Sequence, residues 1–328
     1  MKDLFAIATG QDTAGWNWRI AGAMNRQAEG WEARSMAVTE TYLQYPVDLP
    51  WDLDDCIARY AAADVIHLQN QAAGWELYDR GAGKPTVLQH HGTIFREGHE
   101  AISRSARKIG LVEICSTIDL TLYEPGVEWI GVPYRRSELM AFRDAHKPDG
   151  VIRIGHAPTN RDVKGTDHFL AVMDKLAERY RVETVLIERE PWATCLERKA
   201  RCDIFYDQLE LGYGSNAVEA WGMGIPVVAG TTDPAVRSLM VSRWGRLPFV
   251  EATSASLEKA LSLLIGSSSM RSEYSVAGGN HFDRWHDERA VAPMLVDVYA
   301  SAKPTRPGPD QSWRDRKRLR RLNRVLSQ

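Results

Sequence analysis

Short apolar runs rich in Val, Ile and Leu alternate along this chain with longer stretches whose apolar positions recur every three or four residues. In the first half the short runs fall at Leu4–Thr9, Ala33–Val38, Asp64–Leu68, Thr86–His90, Gly110–Cys115 and Glu128–Ile130. Continuous runs of this length predict strands covered on both faces. The stretches between them predict helices at Asn17–Ala28, Leu53–Ala62, Ala72–Arg80 and Glu97–Lys108. Strict alternation of the two patterns predicts a parallel α/β sheet with helices on each side.

The segment Val132–Gly150 is polar and closes on Pro-Asp-Gly, which predicts a bridge between domains. The pattern then restarts. Strands are expected at Ile152–His156, Thr184–Ile187, Asp203–Tyr206, Pro226–Ala229 and near Pro248–Val250. Helices are expected at Thr166–Tyr180, Trp192–Lys199, Ser215–Trp221, Pro234–Met240 and Leu257–Leu264. A further helix from about Asp287 carries Val291, Met294, Leu295 and Val298 on one face. Two successive units predict two facing sheets, with the ligand in the cleft beyond the carboxyl ends of their strands. The expected domains are 1–135, 136–285, a closing helix at 286–302 and a tail at 303–328.

Composition changes this picture little. The 328 residues suit two domains, and 44% hydrophobic with 26% charged residues is ordinary for a soluble protein. A net charge of −2 excludes a protein coated in positive charge but leaves room for a local basic patch. Cys56, Cys115, Cys195 and Cys202 form no CxxC pair, which points to free thiols in a reducing compartment. The start, MKDLFAIATGQDTAGW, does not read as a secretory signal, and no window holds eighteen apolar residues. A cytoplasmic location follows as the expectation, with a peripheral position at the inner membrane surface as a variant. The tail is the exception to the charge balance: from Lys303 on, nine Lys and Arg stand against two Asp. Leu319, Leu322 and Leu326 would share a helical face. Three partners suit it: an anionic membrane, nucleic-acid phosphates, or an acidic protein neighbour.

The candidate chemistry sits in the second half. Arg161 and Lys164 follow a strand, and Gly165 opens the next helix. Two cations there could clamp a diphosphate, or simply be solvated. Further on, LGYGSNAVEAWGMGIPVV places Gly212 and Gly214 before a helix whose first N–H groups face the glycine turn. Glu219 lies one turn further on, where a carboxylate could accept two hydroxyls of a ribose or equally be solvated.

IRIGHAPTNRDVKGTDHFL followed by DIFYDQLELGYGSNAVEAWGMGIPVV resembles the donor-binding domain of GT-B glycosyltransferases, in particular the retaining group called glycosyltransferase family 4. The resemblance covers residues 151–230 and extends more weakly to HFDRWHDERAVAPMLVDVY, DVIHLQN and KPTVLQHHGTIFR. It implies two facing Rossmann-like domains and a nucleotide-diphosphate sugar as donor. At matching positions, Arg161 and Lys164 would contact the diphosphate and Glu219 the ribose. Gly212, Gly214, Ser215 and Asn216 would line the sugar and phosphates, and His91 would face the donor sugar. Gly10 and Gly15 would border the acceptor and phosphate side. The acceptor itself (glycan, glycolipid, protein or nucleic acid) stays open.

The family often carries two glutamates eight positions apart. Here Leu211 stands where the first would be, with Asp207-Gln208 upstream, a form that also occurs in the family. The resemblance implies departure of a diphosphate with oxocarbenium character and attack from the same face, with no protein nucleophile, cofactor or metal. Asp52-Leu53-Asp54-Asp55 reads as a helix start rather than a metal motif. Neither a GxSxG elbow nor HExxH occurs, and GQDTAG is not a P-loop. A rival function is a non-catalytic nucleotide-sugar or glycan-binding protein of the same fold, favoured by Leu211.

Overall fold

The computed structural model describes residues 1–39, 41–69, 83–144 and 150–306. The helix expected at Ala72–Arg80, the Pro148-Asp149 step and the tail beyond Arg306 lie outside the described residues. The chain divides into two compact units. One holds Met1–Thr41, Pro46–Pro133 and the chain from Glu288; the other holds Tyr42–Tyr45 and Tyr134–Asp287.

The first unit opens with β1 (Lys2–Gln11), α1 (Trp16–Gln27), β2 (Trp31–Thr39), α2 (Leu53–Ala62), β3 (Val65–Gln69) and β4 (Thr86–His90). It continues through α3 (Gly92–Ile109), β5 (Val112–Cys115) and β6 (Glu128–Trp129). The sheet order is β2-β1-β3-β4-β5-β6, all parallel, with Leu4 beside Ala33 and Ile7 beside Leu68. Every residue of β3 and β4 is buried, which explains why these runs show no alternation. Asp52 accepts the Asp55 N–H at 2.7 Å and caps α2, so the acidic cluster is a helix start. Helix α3 begins five residues before the expected Glu97. His91 is still extended and Gly92 begins the first turn, while Gly110 in the left-handed region ends the helix.

The second unit runs α4 (Arg136–Asp144), β7 (Ile152–His156), α5 (Arg161–Lys164), α6 (Thr166–Ala177), β8 (Val182–Leu186) and α7 (Trp192–Lys199). Then come β9 (Ile204–Tyr206), β10 (Leu211–Gly212), α8 (Ser215–Gly222), β11 (Val227–Thr231), α9 (Pro234–Trp244), β12 (Val250–Glu251), α10 (Leu257–Gly266) and α11 (Ser268–Trp285). Strand order is β10-β11-β9-β7-β8, with β12 also on β11; only β10 is antiparallel. Ile154, Phe169, Ile204, Tyr206, Leu257 and Leu261 form the centre of its core. The last helix, α12 (Glu288–Ser301), returns to the first unit, where the Glu288 carboxylate accepts from Arg26 and Gln27 of α1.

Three expectations are corrected. The polar bridge contains α4, anchored by buried Leu139 and by Arg143, which donates to the carbonyls of Ala200 and Cys202. One apolar anchor in a charged helix leaves no periodic signal. The basic loop is a one-turn helix, α5, capped by the Asn160 side chain on Val163 N–H at 3.1 Å. Helix α11 was not expected at all, because polar residues and a Gly-Gly pair hide it. Gly278 is what lets it lie on Trp221: a Cβ there would stand 2.1 Å from Trp221 Cδ1. No helix among the described residues is long and apolar enough to cross a membrane.

Candidate functional site

In the second unit β7 is flanked by β8 on one side and β9 on the other. The order in which the chain adds strands switches there from one side of β7 to the other, and open sheets bind ligands beyond the carboxyl ends of strands at such a point. After β7 the chain leads into α5; after β9 it leads into the glycine turn and α8. His156 fixes the first exit. One ring nitrogen lies 3.1 Å from Tyr206 O and the other 2.9 Å from Thr166 Oγ1. Burial pushes its pKa down to about 4, so it is neutral, with Nδ1–H donating to the carbonyl.

Lys164, Asp207 and Gly214 meet at this point. Lys164 Nζ lies 2.7 Å from Asp207 Oδ1, and the Gly214 N–H donates to Asp207 Oδ2 at 2.6 Å. Asp207 is buried, whereas the Lys164 side chain keeps 13% of its exposure. Tyr206 Oη donates to Lys164 O at 3.0 Å and holds the end of α5. Gly212 has φ +83°, a conformation that favours glycine. Gly214, by contrast, is extended at φ −122°, and a Cβ there would make only ordinary contact with Lys164 Nζ, at 3.4 Å. Ser215 and Asn216 open α8, where N–H groups have no intrahelical acceptor. The Asn216 side chain is engaged elsewhere, donating to Ala157 O at 2.7 Å and accepting from Lys199 at 2.8 Å. Asp207 already takes the Gly214 N–H and one contact of the Lys164 ammonium, so the groups left to meet an anion here are the remaining hydrogens of that ammonium and the helix start at Ser215 and Asn216.

Arg161 is not in this triangle. It donates to Glu188 at 2.8–2.9 Å and to Asp167 at 2.8 Å, with its side chain 44% exposed. Glu219 departs from expectation more sharply. It is 2% exposed, and its carboxylate accepts from Tyr134 Oη at 3.0 Å, Trp192 Nε1 at 2.8 Å and the Lys199 ammonium. The carboxylate expected to meet a ribose is here the counter-ion of a fully buried lysine. Leu211 lies in β10, paired with Thr231.

In the first unit, Gly10 lies near the end of β1, and Gly15 caps α1 at φ +66°. His91 precedes α3, its ring 5.7 Å from that of Trp16. Its Nε2 is buried with no hydrogen-bond partner among the described residues. Burial, reinforced by neighbouring His67 and His90, pushes its pKa down to about 3. Asp12, which the sequence did not single out, accepts the N–H groups of Asn17 and Trp18 at 3.0 and 3.2 Å. Burial lifts its carboxyl to about 6 against those bonds.

No protein-family model matches the chain, and no curated protein matches it in sequence. Solved structures match it in fold. HepE from Anabaena, solved with UDP-glucose, has a TM-score of 0.65 at 14% identity, over 92% of this chain and 100% of its own. An alpha-glucosyltransferase solved with UDP and a 13-mer DNA gives 0.63 at 11% identity, over 92% and 100%. Sucrose-phosphate synthase from Thermosynechococcus elongatus gives 0.58 at 11% identity, over 92% and 98%. The chain has the GT-B glycosyltransferase fold.

Within this GT-B fold, the residues that sequence reasoning passed over are Asp207 as partner of Lys164 and Lys199 as partner of Glu219. The first had a signal, an acidic residue directly after a buried strand. The second had none, because a lysine at the end of a short helix reads as solvated.

Proposed function

We propose that the chain is a glycosyltransferase, which moves a sugar from a nucleoside-diphosphate sugar to an acceptor hydroxyl with retention and without a resident metal, in the manner of family 4. The observation that carries this is Lys164, held by Asp207 beside the glycine turn and the start of α8, at the point where the strand order reverses. Charge growing on a departing diphosphate is met there by the Lys164 ammonium and the first N–H groups of α8, where stabilisation acts most strongly on the transition state. Arg161 reaches the same phosphates by exchanging its exposed carboxylate partners for them. The family resemblance gives His91 the donor sugar; its ring is neutral and its Nε2 has no hydrogen-bond partner among the described residues. Uridine donors are the first to try, since solved relatives in fold hold UDP or UDP-glucose.

The test is a panel of sugar nucleotides, following release of the nucleoside diphosphate with and without candidate acceptors. Turnover that disappears in Lys164→Ala supports the proposal. Saturable donor binding with no turnover on any glycan, glycolipid, protein or nucleic-acid acceptor favours the second reading, a non-catalytic nucleotide-sugar binder. Leu211 and the enclosure of Glu219 are the observations on that side. We place the protein in the cytoplasm. Removal of residues 303–328, with liposome and DNA binding measured against salt, separates the membrane and nucleic-acid partners of the basic tail.

A further inference from the structure

A cavity of about 490 Å³ lies on the second unit, between the end of α9 with its following turn and one stripe of α11. Its size is within the ~300–1,000 Å³ of small-molecule sites. The α11 stripe runs through Ser272, Val276, Asn280 and Arg284, spaced at helical intervals. Trp244 and Arg246 face it from the other side, and Trp285 closes one end. His281 also lines it and is held in place: its Nε2 lies 3.0 Å from Tyr213 Oη, and its ring packs edge-on to Trp244 at 4.6 Å.

The charge of this cavity is unbalanced. Arg246 is neutralised by Glu273 at 2.5 Å. Arg284 has no carboxylate partner among the described residues and lies over the Trp285 ring at 5.1 Å, with Arg243 over the same ring at 5.3 Å. The adjacent carboxylate, Asp283, is taken by Arg136. A guanidinium beside an indole, with an exposed amide and hydroxyl along the same helix, is a mixed donor set. The guanidinium binds a planar carboxylate or a phosphate through two parallel bonds. Asn280 and Ser272 suit hydroxyls, and the indole of Trp244 offers an apolar wall for the C–H face of a pyranose.

We propose that this cavity binds an acidic saccharide, a pyranose carrying a carboxylate or phosphate, at a site separate from the glycine turn. It does not depend on the donor proposal. The whole chain is titrated by calorimetry with glucuronate, glucose 6-phosphate, glucose and inorganic phosphate, and separately with UDP. Glucuronate or glucose 6-phosphate should saturate, glucose should bind at least tenfold more weakly, and the tighter acid names the source of the charge. Arg284→Gln should weaken the acid at least tenfold, and Asn280→Ala several-fold; both side chains are exposed, so the fold and UDP affinity should be unchanged. Absence of saturable binding by either acid overturns the proposal, as does phosphate binding as tightly as the sugars or an Arg284→Gln chain that binds like the parent. UDP failing to bind while an acid does would sink the donor proposal and leave this one standing.

Discussion

Lys164 and Asp207 form an ion pair at 2.7 Å in which the carboxylate is buried and the ammonium is still reachable. Because Asp207 also accepts the Gly214 N–H, one carboxylate orients both the cation and the backbone of the glycine turn. A diphosphate arriving there finds the lysine held in place and shares it with Asp207 rather than ordering a free side chain.

Asp207→Asn tests this coupling. The amide can keep one of the two contacts but then offers an N–H toward the ammonium or toward Gly214. Donor turnover should fall at least tenfold. In Lys164→Met the buried carboxylate loses its charge partner, and removing one member of such a pair costs about 3–5 kcal/mol. A melting temperature equal to the parent's in Lys164→Met would contradict the buried-pair account.

Arg161 should behave in the opposite way. Its pairs with Glu188 and Asp167 are solvent-exposed, and such pairs contribute little to stability. Arg161→Ala should therefore unfold at nearly the parent's denaturant midpoint. Its turnover should drop ~10²-fold, the usual loss when one donor to a developing charge is removed. Equal loss of stability and turnover would argue that Arg161 only holds α5.

Glu219→Gln separates two roles. A ribose ligand would lose nucleotide affinity with stability intact. The buried contacts predict the reverse: a loss of about 3–5 kcal/mol, with unchanged UDP affinity in the folded fraction. Burial pulls the Lys199 pKa down, but the Glu219 charge outweighs it and the net direction is up. The lysine's contribution is thus present below its unfolded value of 10.5 and is lost only at higher pH. In Glu219→Gln the largest opposing charge is gone, and burial acts on Lys199 against only Cys195 and Asp207. The variant should then regain stability as pH rises toward 10, while the parent does not.

Legibility in the sequence tracked how local each determinant was. β4 at Thr86–His90, β7 at Ile152–His156, and helices α2 and α7 sit at their expected bounds, because a short apolar run or an amphipathic stretch, capped by Asp52 in α2, encodes each of them locally. Helix α11 escaped because its reason for existing is Trp221, more than fifty positions upstream, against which Gly278 must pack. The same distance effect operates in the site. Gly212 was readable as a backbone requirement, and its φ of +83° bears that out. Gly214 carries no such requirement, since its backbone is extended at φ −122° and a Cβ would make only ordinary contact with Lys164 Nζ. Glu219 was placed on the right helix with the wrong surroundings. Tyr134, Trp192 and Lys199 each reach it from a different segment, and nothing in a linear pattern records that convergence.

The buried histidines make the fold acid-sensitive above the range where most carboxylates titrate. Burial pushes His67 and His156 down to about 4 and His91 to about 3, and holds His281 well below its ordinary value of 6.5. In the unfolded chain each takes a proton near 6.5, so unfolding at pH 5 takes up roughly one proton per buried histidine. Their contribution is full above pH 6.5 and is lost as pH falls through that value toward 4. Asp12 acts with the opposite sign. Its carboxyl, lifted from 3.8 to about 6, favours the protonated fold, so its contribution is full below 3.8 and is lost as pH rises to about 6. Four histidines against one aspartate leave a net fall in the urea midpoint between pH 7 and pH 5. His67→Gln should flatten that fall: it removes one titrating ring while keeping a donor and an acceptor for Tyr299 Oη at 3.0 Å and Gln89 Oε1 at 2.9 Å. Asp12→Asn should steepen it, by deleting the one opposing group. A parent midpoint that is level or rising on acidification from pH 7 to pH 5 would show that these rings are not held neutral in the fold.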